Sequence, residues 1–160
     1  DKLTGVTNRQ VFDTIIDQTI KGLKRHPGPL SLIIFDIDHF KRINDNYGHL
    51  AGDLILKTIA SLAREMIRES DTICRWGGEE FIVLLPDCDH LAATELAERM
   101  RLAIANRSIT AHSNSLKVTA SFGIAQIKEQ ESIDELINRA DQGLYRSKRQ
   151  GRNRVSVHEG

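Results

Sequence analysis

Apolar and polar residues alternate along the chain with two periods, and these periods predict an ordered series of helices and strands. Helical spacing of apolar residues occurs in four long segments: before Pro27, from Gly52 to Ile67, after Asp89 and after Ser132. Residues 30–35 are almost continuously apolar, which is typical of a strand covered on both faces. Further strands are predicted at 71–76, 81–85, 116–126 and 155–157.

Capping residues predict where the helices begin and end. Thr7 with Gln10 predicts a capping box for the first helix, which ends before Pro27-Gly28-Pro29. Asp38 is a natural N-cap for a short helix that begins with His39-Phe40-Lys41. The later helix ends are marked by Asp89, by the Ser132–Glu135 pair and by Gly151.

The order of elements predicts the fold class. Residues 30–126 have the order βαββαβ, which is the ferredoxin-like pattern. We therefore expect an α+β fold with a mostly antiparallel sheet and helices on one side, extended by an N-terminal helix and by a C-terminal helix and strand. A length of 160 residues suits one domain with a substantial core.

Two carboxylates sit at the turn of a predicted hairpin. Residues 71–76 and 81–85 flank Gly77-Gly78, which predicts a tight primed turn because glycine takes positive φ without a steric cost. Glu79 and Glu80 then place two negative charges beside the turn of an otherwise apolar hairpin. Such charges need a cation or a strong hydrogen-bond donor.

A second acidic strand end strengthens the hypothesis of a metal site. The apolar strand that starts at Leu30 ends in Asp36-Ile37-Asp38, and the period of a strand places Asp36 and Asp38 on one face. If this strand lies beside the hairpin, Asp36 and Glu79 can converge on a shared divalent ion. For Asp38, a role as helix N-cap is at least as well supported as metal binding.

Composition and charge disfavour several classes of function. The formal net charge is zero, which does not favour a nonspecific DNA-binding surface but leaves a local basic patch open. No apolar run approaches a membrane span, and the residues given predict no signal peptide. Cys74 and Cys88 form neither a disulfide framework nor a metal motif. Because the sequence begins with Asp1, we expect it to be a fragment whose regulatory domain lies upstream.

The motif Gly77-Gly78-Glu79-Glu80-Phe81 resembles the signature of the GGDEF family of bacterial diguanylate cyclases, in its Glu-for-Asp form. The likeness covers the whole chain through motifs in family order at residues 1–9, 36–45 and 151–155. The resemblance implies the palm-like core that GGDEF domains share with class III nucleotide cyclases and many polymerases.

The resemblance also implies a metal site. Asp36, Glu79 and the backbone carbonyl of Ile37 would bind Mg²⁺ or Mn²⁺, and the two carboxylates are the hard oxygen donors that these ions prefer. Glu80 would help to hold the metal site or accept a hydrogen bond from a neighbouring donor. Asp36, Glu79 and Glu80 are thus the predicted catalytic residues.

By the same resemblance, Asn44 and Asp53 would recognise guanine. A carboxylate accepts from N1–H and the exocyclic amine of guanine, and an amide both donates and accepts. From the residues alone, Asp53 would more simply cap a helix and Asn44 form a turn. Phe40, Lys41, Lys148 and Arg152 match the remaining GTP-binding positions, the three cations at the triphosphate. Lys148 and Arg152 would also complement a helix dipole.

Arg68-Glu69-Ser70-Asp71 resembles the RxxD inhibitory site of the family. An arginine can bind phosphate and the N7 and O6 atoms of guanine, and Asp71 can accept from N1–H. Arg99 would be a secondary contact. The alternative interpretation is a local ion pair between Arg68 and Asp71 at a helix end.

The resemblance implies a cytoplasmic enzyme that joins two GTP molecules into cyclic di-GMP within a symmetric homodimer, with one GTP per domain and product inhibition. The cytoplasmic expectation is compatible with a membrane anchor elsewhere in the full-length protein. One alternative is a catalytically silent receptor for GTP or cyclic di-GMP, but the signature acids are present and favour the enzyme. Another is a polymerase-like nucleotidyl transferase, which would need a basic template-binding face.

Overall fold

The structure, a computed structural model, describes residues 1–159. Within this range the helices are α1 (Arg9–Arg25), α2 (Phe40–Tyr47), α3 (His49–Met66), α4 (His90–Asn106) and α5 (Ile133–Arg149). The strands are β1 (Leu30–Ile37), β2 (Thr72–Arg75), β3 (Glu80–Pro86), β4 (Ile109–Ala111), β5 (Asn114–Leu116), β6 (Ala120–Gln126) and β7 (Val155–Val157).

Five of these strands form one sheet in the order β2-β3-β1-β6-β7. The central strand β1 is antiparallel to both β3 and β6, and β7 joins β6 in parallel. Strands β4 and β5 form a separate hairpin. The predicted α+β class and the mostly antiparallel sheet are therefore confirmed.

Helices cover both faces of the sheet. Ile33, Phe35 and Ile37 of β1 pack in one core with α3 and α4, whereas Leu32 and Ile34 pack in a second core with α1 and α5. The helices α3 and α4 of the βαββαβ unit share one face of the sheet, as expected, and the added helices α1 and α5 cover the other face. Two covered faces also explain why β1 is apolar at nearly every position.

Helix α5 lies unusually close to β6. A Cβ atom on Gly123 would lie 2.1 Å from the carbonyl oxygen of Ala140 and 2.2 Å from the amide nitrogen of Leu144. Only glycine permits this approach, since every other residue would place a carbon atom inside the helix backbone. The contact fixes the position of α5, and with it the side chains near its C-terminal end.

The capping predictions had mixed outcomes. Asp89 accepts from the backbone N–H of Ala92, and Ser132 with Glu135 forms the predicted capping box. The capping box at Thr7 was wrong, because Asn8 is the N-cap of α1 and accepts from the N–H of Val11 at 2.9 Å. Helix α3 begins at His49 instead of Gly52, so Asp53 lies inside the helix and does not cap it.

The predicted hairpin is present as β2 and β3, but its primed turn is not. Neither Gly77 nor Gly78 has positive φ; the backbone N–H groups of Trp76 and Gly77 both donate to the carbonyl of Glu80. A four-residue connection therefore replaces the two-residue turn. The strand predicted at 116–126 begins only at Ala120, because Leu116 ends strand β5 and residues 117–119 connect β5 to β6, a break that alternation alone does not reveal.

Within residues 1–159, no helix combines the length and the apolarity that crossing a bilayer requires.

Candidate active site

The antiparallel pairing of β1 with β3 brings the predicted carboxylates to one end of the sheet. Asp36 is in register with Glu80, and the backbone N–H of Ile37 donates to the carbonyl oxygen of Glu79 at 3.3 Å. The three residues predicted to bind a metal, Asp36, Ile37 and Glu79, are therefore neighbours in space although 43 positions separate Asp36 from Glu79 in the sequence.

A lysine from α5 reaches the same strand end. The carboxylate of Asp36 is buried and accepts a hydrogen bond from Nζ of Lys148 at 2.5 Å. Burial raises the pKa of Asp36, the Lys148 ammonium opposes this rise, and the negative charges of Glu79 and Asp38 add to it. A nearby cation therefore stabilises the charged form of the Asp36 carboxylate.

Glu80 lies in the same electrostatic environment. Burial raises the pKa of Glu80 first, followed by the negative charges of Asp36 and Asp141, while Lys148 opposes the rise. Sequence reasoning missed Asp141. It precedes Lys148 by two helical turns, so a shared helix face was the available signal.

The donor set was tested against the requirements of Mg²⁺. Within residues 1–159, no three His, Cys, Asp or Glu side chains are arranged to hold a metal ion by themselves. Mg²⁺ bound with nucleotides usually takes one or two carboxylates together with phosphate oxygens. Asp36 and Glu79 supply such a pair, and burial, which raises the pKa of Asp36, disfavours its charge unless a cation lies beside it. The residues present fit a divalent ion bound together with a triphosphate.

Helices α2 and α3 meet at Gly48 and enclose an unsatisfied amide. The Oδ1 atom of Asn44 is buried and has no hydrogen-bond partner within residues 1–159. A Cβ atom on Gly52 would lie 1.9 Å from this oxygen and 3.1 Å from Cζ of Phe40. Buried polar atoms normally have a partner, so an orphan oxygen here indicates a place for a donor from outside the chain.

Gly52 is a functional candidate that sequence reasoning did not identify. Its missing side chain makes the room in which Asn44 and Phe40 lie, and half-buried Asp53 follows it on the same helix. A glycine in a helix interior costs stability relative to alanine, which was the only signal in the sequence. The structure therefore gathers Phe40, Asn44 and Asp53 around one helix corner.

The prediction that Asp38 is the N-cap of α2 was wrong. The N-cap position is His39, which has a left-handed backbone and makes no capping hydrogen bond with its side chain. The carboxylate of Asp38 instead accepts from the hydroxyls of Thr119 and Ser121. These two hydroxyls lie on the β6 side of the sheet, where they outcompete the backbone N–H groups of α2.

The three cations predicted to bind the triphosphate lie in three different environments. Lys148 is paired with Asp36, Lys41 is exposed on the first turn of α2, and Arg152 lies in the loop after α5 with positive φ. The backbone N–H of Arg152 donates to the carbonyl of Ser147 at 2.9 Å.

The predicted inhibitory site contains a tight ion pair. Arg68 donates to Asp71 from Nε at 3.2 Å and from Nη2 at 2.8 Å, and Nη2 also donates to the carbonyl of Pro86 at 2.6 Å. Asp71 raises the pKa of Arg68 further by accepting these bonds. About half of the Arg68 side chain is exposed (52%), and within residues 1–159 its Nη1 atom has no hydrogen-bond partner. Arg99 is exposed on α4.

Comparison with known proteins identifies the family. The family model described as diguanylate cyclase, GGDEF domain, matches residues 1–154. The chain belongs to the GGDEF domain family. Among curated relatives, this GGDEF domain is 46% identical over 157 residues to diguanylate cyclase DgcP of Pseudomonas aeruginosa, covering 98% of the chain and 23% of that protein. It is 43% identical to diguanylate cyclase DgcM of Escherichia coli, with 97% and 37% covered.

Solved structures confirm the fold of the GGDEF domain. The GGDEF domain of DgcB from Caulobacter crescentus, in complex with c-di-GMP, superposes with a TM-score of 0.96 at 34% identity, covering 100% of this chain and 95% of that chain. The active GGEEF domain of a diguanylate cyclase from Vibrio cholerae gives 0.88 at 33% identity, with 97% and 99% covered. The chain spans between about a quarter and two fifths of the length of the first curated relatives.

Proposed function

We propose that this GGDEF domain is a diguanylate cyclase that joins two GTP molecules into cyclic di-GMP and releases two pyrophosphates. The observation that carries the proposal is the meeting of Asp36, Ile37 and Glu79 with Lys148 at the end of β1. Metal ligands and a phosphate-binding cation are the groups that nucleotidyl transfer needs at one place.

Each half of the reaction is a displacement at phosphorus. The 3′-hydroxyl of one GTP attacks the α-phosphate of the other, a phosphorus–oxygen bond forms, the bond to pyrophosphate breaks, and the hydroxyl proton passes to solvent water. One domain binds one GTP and supplies half of the site. A symmetric homodimer is required, and its two-fold axis matches the two-fold symmetry of the product.

Asp36, Glu79 and the carbonyl of Ile37 would hold Mg²⁺ or Mn²⁺. Held there, such an ion would supply a charge that lowers the pKa of the attacking hydroxyl and offsets the negative charge of the phosphates. Glu80, which has a raised pKa beside Asp36, adds negative charge that favours a cation at this place.

Asn44 and Asp53 bind the guanine base, against the ring of Phe40. The orphan Oδ1 atom of Asn44 supports this role, because guanine supplies amine and N1–H donors that adenine lacks or places elsewhere. Lys41, Lys148 and Arg152 bind the triphosphate. For Lys148 this requires its Nζ atom to leave Asp36, whose charge the metal ion then balances.

Cyclic di-GMP inhibits the domain through Arg68, Asp71 and Arg99. Asp71 and the carbonyl of Pro86 hold the guanidinium of Arg68 in place while its Nη1 edge stays available. Such an arginine is well suited to phosphate and to the Hoogsteen edge of guanine. In the whole protein, a domain upstream of this one would control the pairing of two GGDEF domains.

The test is incubation with GTP and Mg²⁺, followed by chromatography for cyclic di-GMP. We expect product from the wild type and none above background from Glu79→Gln, because the amide keeps the shape but loses the charge that holds the metal. Glu129→Gln, at an exposed glutamate, is the matched control and should match the wild type.

GTP binding without product from the wild type would contradict the enzyme and support a catalytically silent receptor. Near wild-type synthesis by a folded Glu79→Gln protein would contradict the metal assignment alone.

A further inference from the structure

Asp38 has both carboxylate oxygens engaged, although it is only two residues from the proposed metal ligand Asp36. Its Oδ1 atom accepts from the hydroxyl of Ser121 at 2.7 Å. Its Oδ2 atom accepts from the hydroxyl of Thr119 at 2.6 Å and from the backbone N–H of Asn153 at 3.0 Å. The residue is buried, with 5% of its surface exposed. These three donors occupy the carboxylate of Asp38, so we look for its role in the segments that the donors belong to.

Asp38 holds the loop at residues 151–153, which has an uncommon backbone conformation. Gly151, Arg152 and Asn153 follow one another with φ of 122°, 65° and 46°. Residues other than glycine rarely adopt this left-handed region, and they keep it only where surrounding contacts enforce it. The bond from Asn153 to the buried Asp38 anchors the loop to the end of β1, and the bond from Arg152 N–H to Ser147 anchors it to α5.

We propose that Asp38 is a positioning residue, which holds the loop at 151–153 so that Arg152 faces the triphosphate of GTP. The inference rests on the proposed function and extends it. Asp36 and Asp38 belong to the same strand end, so the metal ligand and the anchor of Arg152 share one rigid support. A cation fixed in this way loses less freedom on binding phosphate than one on a free loop.

Two other roles for Asp38 make different predictions. If Asp38 acted by its charge on Asp36, a variant that keeps the charge but loosens the anchor would bind nucleotide normally. If Asp38 only stabilised the core, its loss would weaken the guanosine site at the α2–α3 corner as well. If it positions Arg152, its loss affects the triphosphate contact alone.

The experiment measures binding of 3′-deoxy-GTP and of guanosine to the chain in the presence of Mg²⁺. 3′-Deoxy-GTP lacks the attacking hydroxyl, so it binds without being consumed, and guanosine reports the base site alone. Calorimetry suits the former, and NMR titration suits a weak ligand such as guanosine. The proteins are wild type, Asp38→Asn, Arg152→Ala and the double variant.

We expect Asp38→Asn and Arg152→Ala each to weaken 3′-deoxy-GTP binding by about 10- to 100-fold, the usual range for one charge-assisted contact. Guanosine affinity should stay at the wild-type value. The double variant should bind no more weakly than Arg152→Ala, because Asp38 acts through Arg152.

Thr119→Val is a second route to the same result. It removes one donor to Oδ2 and leaves the Asp38 charge in place, so a loss of about threefold or more in 3′-deoxy-GTP affinity is expected from partial loosening of the anchor. If Asp38→Asn does not fold, Thr119→Val combined with Arg152→Ala provides the same cycle.

Several results overturn the inference. Additive losses in the double variant, a parallel loss of guanosine affinity, or wild-type affinity in Thr119→Val and Asp38→Asn would each do so. Wild-type protein that binds neither ligand would overturn the proposed function as well, which separates that failure from the others.

Discussion

The Nζ atom of Lys148 lies 2.5 Å from Oδ2 of Asp36, so a cation from the last helix contacts the strand end where the metal is proposed to bind. The lysine side chain remains about one third exposed, at 34%, whereas the aspartate is buried. Lysine is a mobile point charge on a flexible stem, and it can exchange one anionic partner for another. If Asp36 binds the metal ion and Lys148 binds phosphate, as proposed, the pair couples these two binding events.

This coupling predicts opposite effects of one substitution. Lys148→Met keeps the length of the side chain and removes its charge. Mn²⁺ binding without nucleotide should become about fivefold tighter, because a competing cation is worth about 1 kcal/mol at a partly exposed site. GTP binding should become about tenfold weaker through loss of a phosphate contact. Calorimetric titrations with Mn²⁺ and with 3′-deoxy-GTP measure both.

Arg149→Met is the matched control, because Arg149 also ends α5 but lies against Tyr145 on the solvent side. It should change neither affinity. Weaker binding of both Mn²⁺ and nucleotide by Lys148→Met would contradict the exchange of partners.

Much of this arrangement could be predicted from the sequence, for physical reasons. The apolar run that ends in Asp36 and the hairpin that carries Glu79 each mark a strand end, and antiparallel pairing brings such ends together. The pairing of Lys148 with Asp36 could not be predicted. It depends on the close approach of α5 to β6 at Gly123, which is a feature of packing and not of local pattern.

The errors have a common cause. Asp38 has the residue type of an N-cap, yet tertiary donors from Thr119 and Ser121 bind its carboxylate. Gly77-Gly78 has the composition of a primed turn, yet the connection is longer, because the carbonyl of Glu80 accepts from two backbone N–H groups. Local signals identify residues that can form a motif, and competing hydrogen bonds decide whether they do. These bonds are distant in sequence for Asp38 and local for the connection at Gly77-Gly78.

Gly52→Ala should disrupt the proposed guanine site without unfolding the domain. The new Cβ atom would lie 1.9 Å from Oδ1 of Asn44, so the amide must move. We expect GTP affinity to fall by about 1–3 kcal/mol, the cost of leaving the donors of the base unpaired. Calorimetry measures the affinity, and circular dichroism checks the fold.

Gly22→Ala is the control for this substitution. Gly22 lies in α1, and a Cβ atom added to it would have no neighbouring atom within 4 Å. Alanine should therefore stabilise the helix by up to about 1 kcal/mol and leave nucleotide binding unchanged. Unchanged GTP affinity in Gly52→Ala would show that the guanine base does not bind at this corner.

Asp53→Ala should weaken GTP binding by about 1–3 kcal/mol while leaving the weak binding of ATP unaffected, since adenine has no N1–H for the carboxylate to accept. The selectivity for guanine should therefore decrease. Calorimetry with both nucleotides measures the ratio of affinities. Equal losses for GTP and ATP would show that Asp53 supports the helix corner and does not recognise the base.

Arg68→Ala should abolish inhibition by cyclic di-GMP. The measured quantity is the ratio of initial rates with and without added product, which should approach one in the variant and stay well below one in the wild type. Arg68→Lys should behave like Arg68→Ala, because lysine cannot bind Asp71 in a bidentate manner and present a second edge to the ligand. Equal inhibition of all three proteins would show that Arg68 forms an ion pair with Asp71 but does not bind cyclic di-GMP.

The last prediction concerns stability and the buried pair of Glu131 and Arg139. Arg139 donates from Nε and Nη2 to the two carboxylate oxygens of Glu131 at 2.6 and 2.7 Å, and both side chains are almost fully buried. The same arginine donates to the carbonyls of His158 and Gln126, which joins the ends of β6 and β7. Glu131→Gln should reduce the free energy of unfolding at pH 7 by about 3 kcal/mol, because it leaves a buried guanidinium without its counter-charge.

The effect should depend on pH in one direction. Hydrogen bonding by Arg139 lowers the pKa of Glu131 below its usual 4.5, so the unfolded chain binds more protons than the folded one in this range. The stability that the pair contributes is therefore complete above about pH 4.5 and is lost as the pH falls through the folded-state pKa. Urea unfolding of wild type, Glu131→Gln and the exposed control Glu129→Gln between pH 3 and 7, in about half-unit steps, measures this difference. A difference between wild type and Glu131→Gln that stays constant below pH 4.5 would show that the charge of Glu131 does not carry the stabilisation.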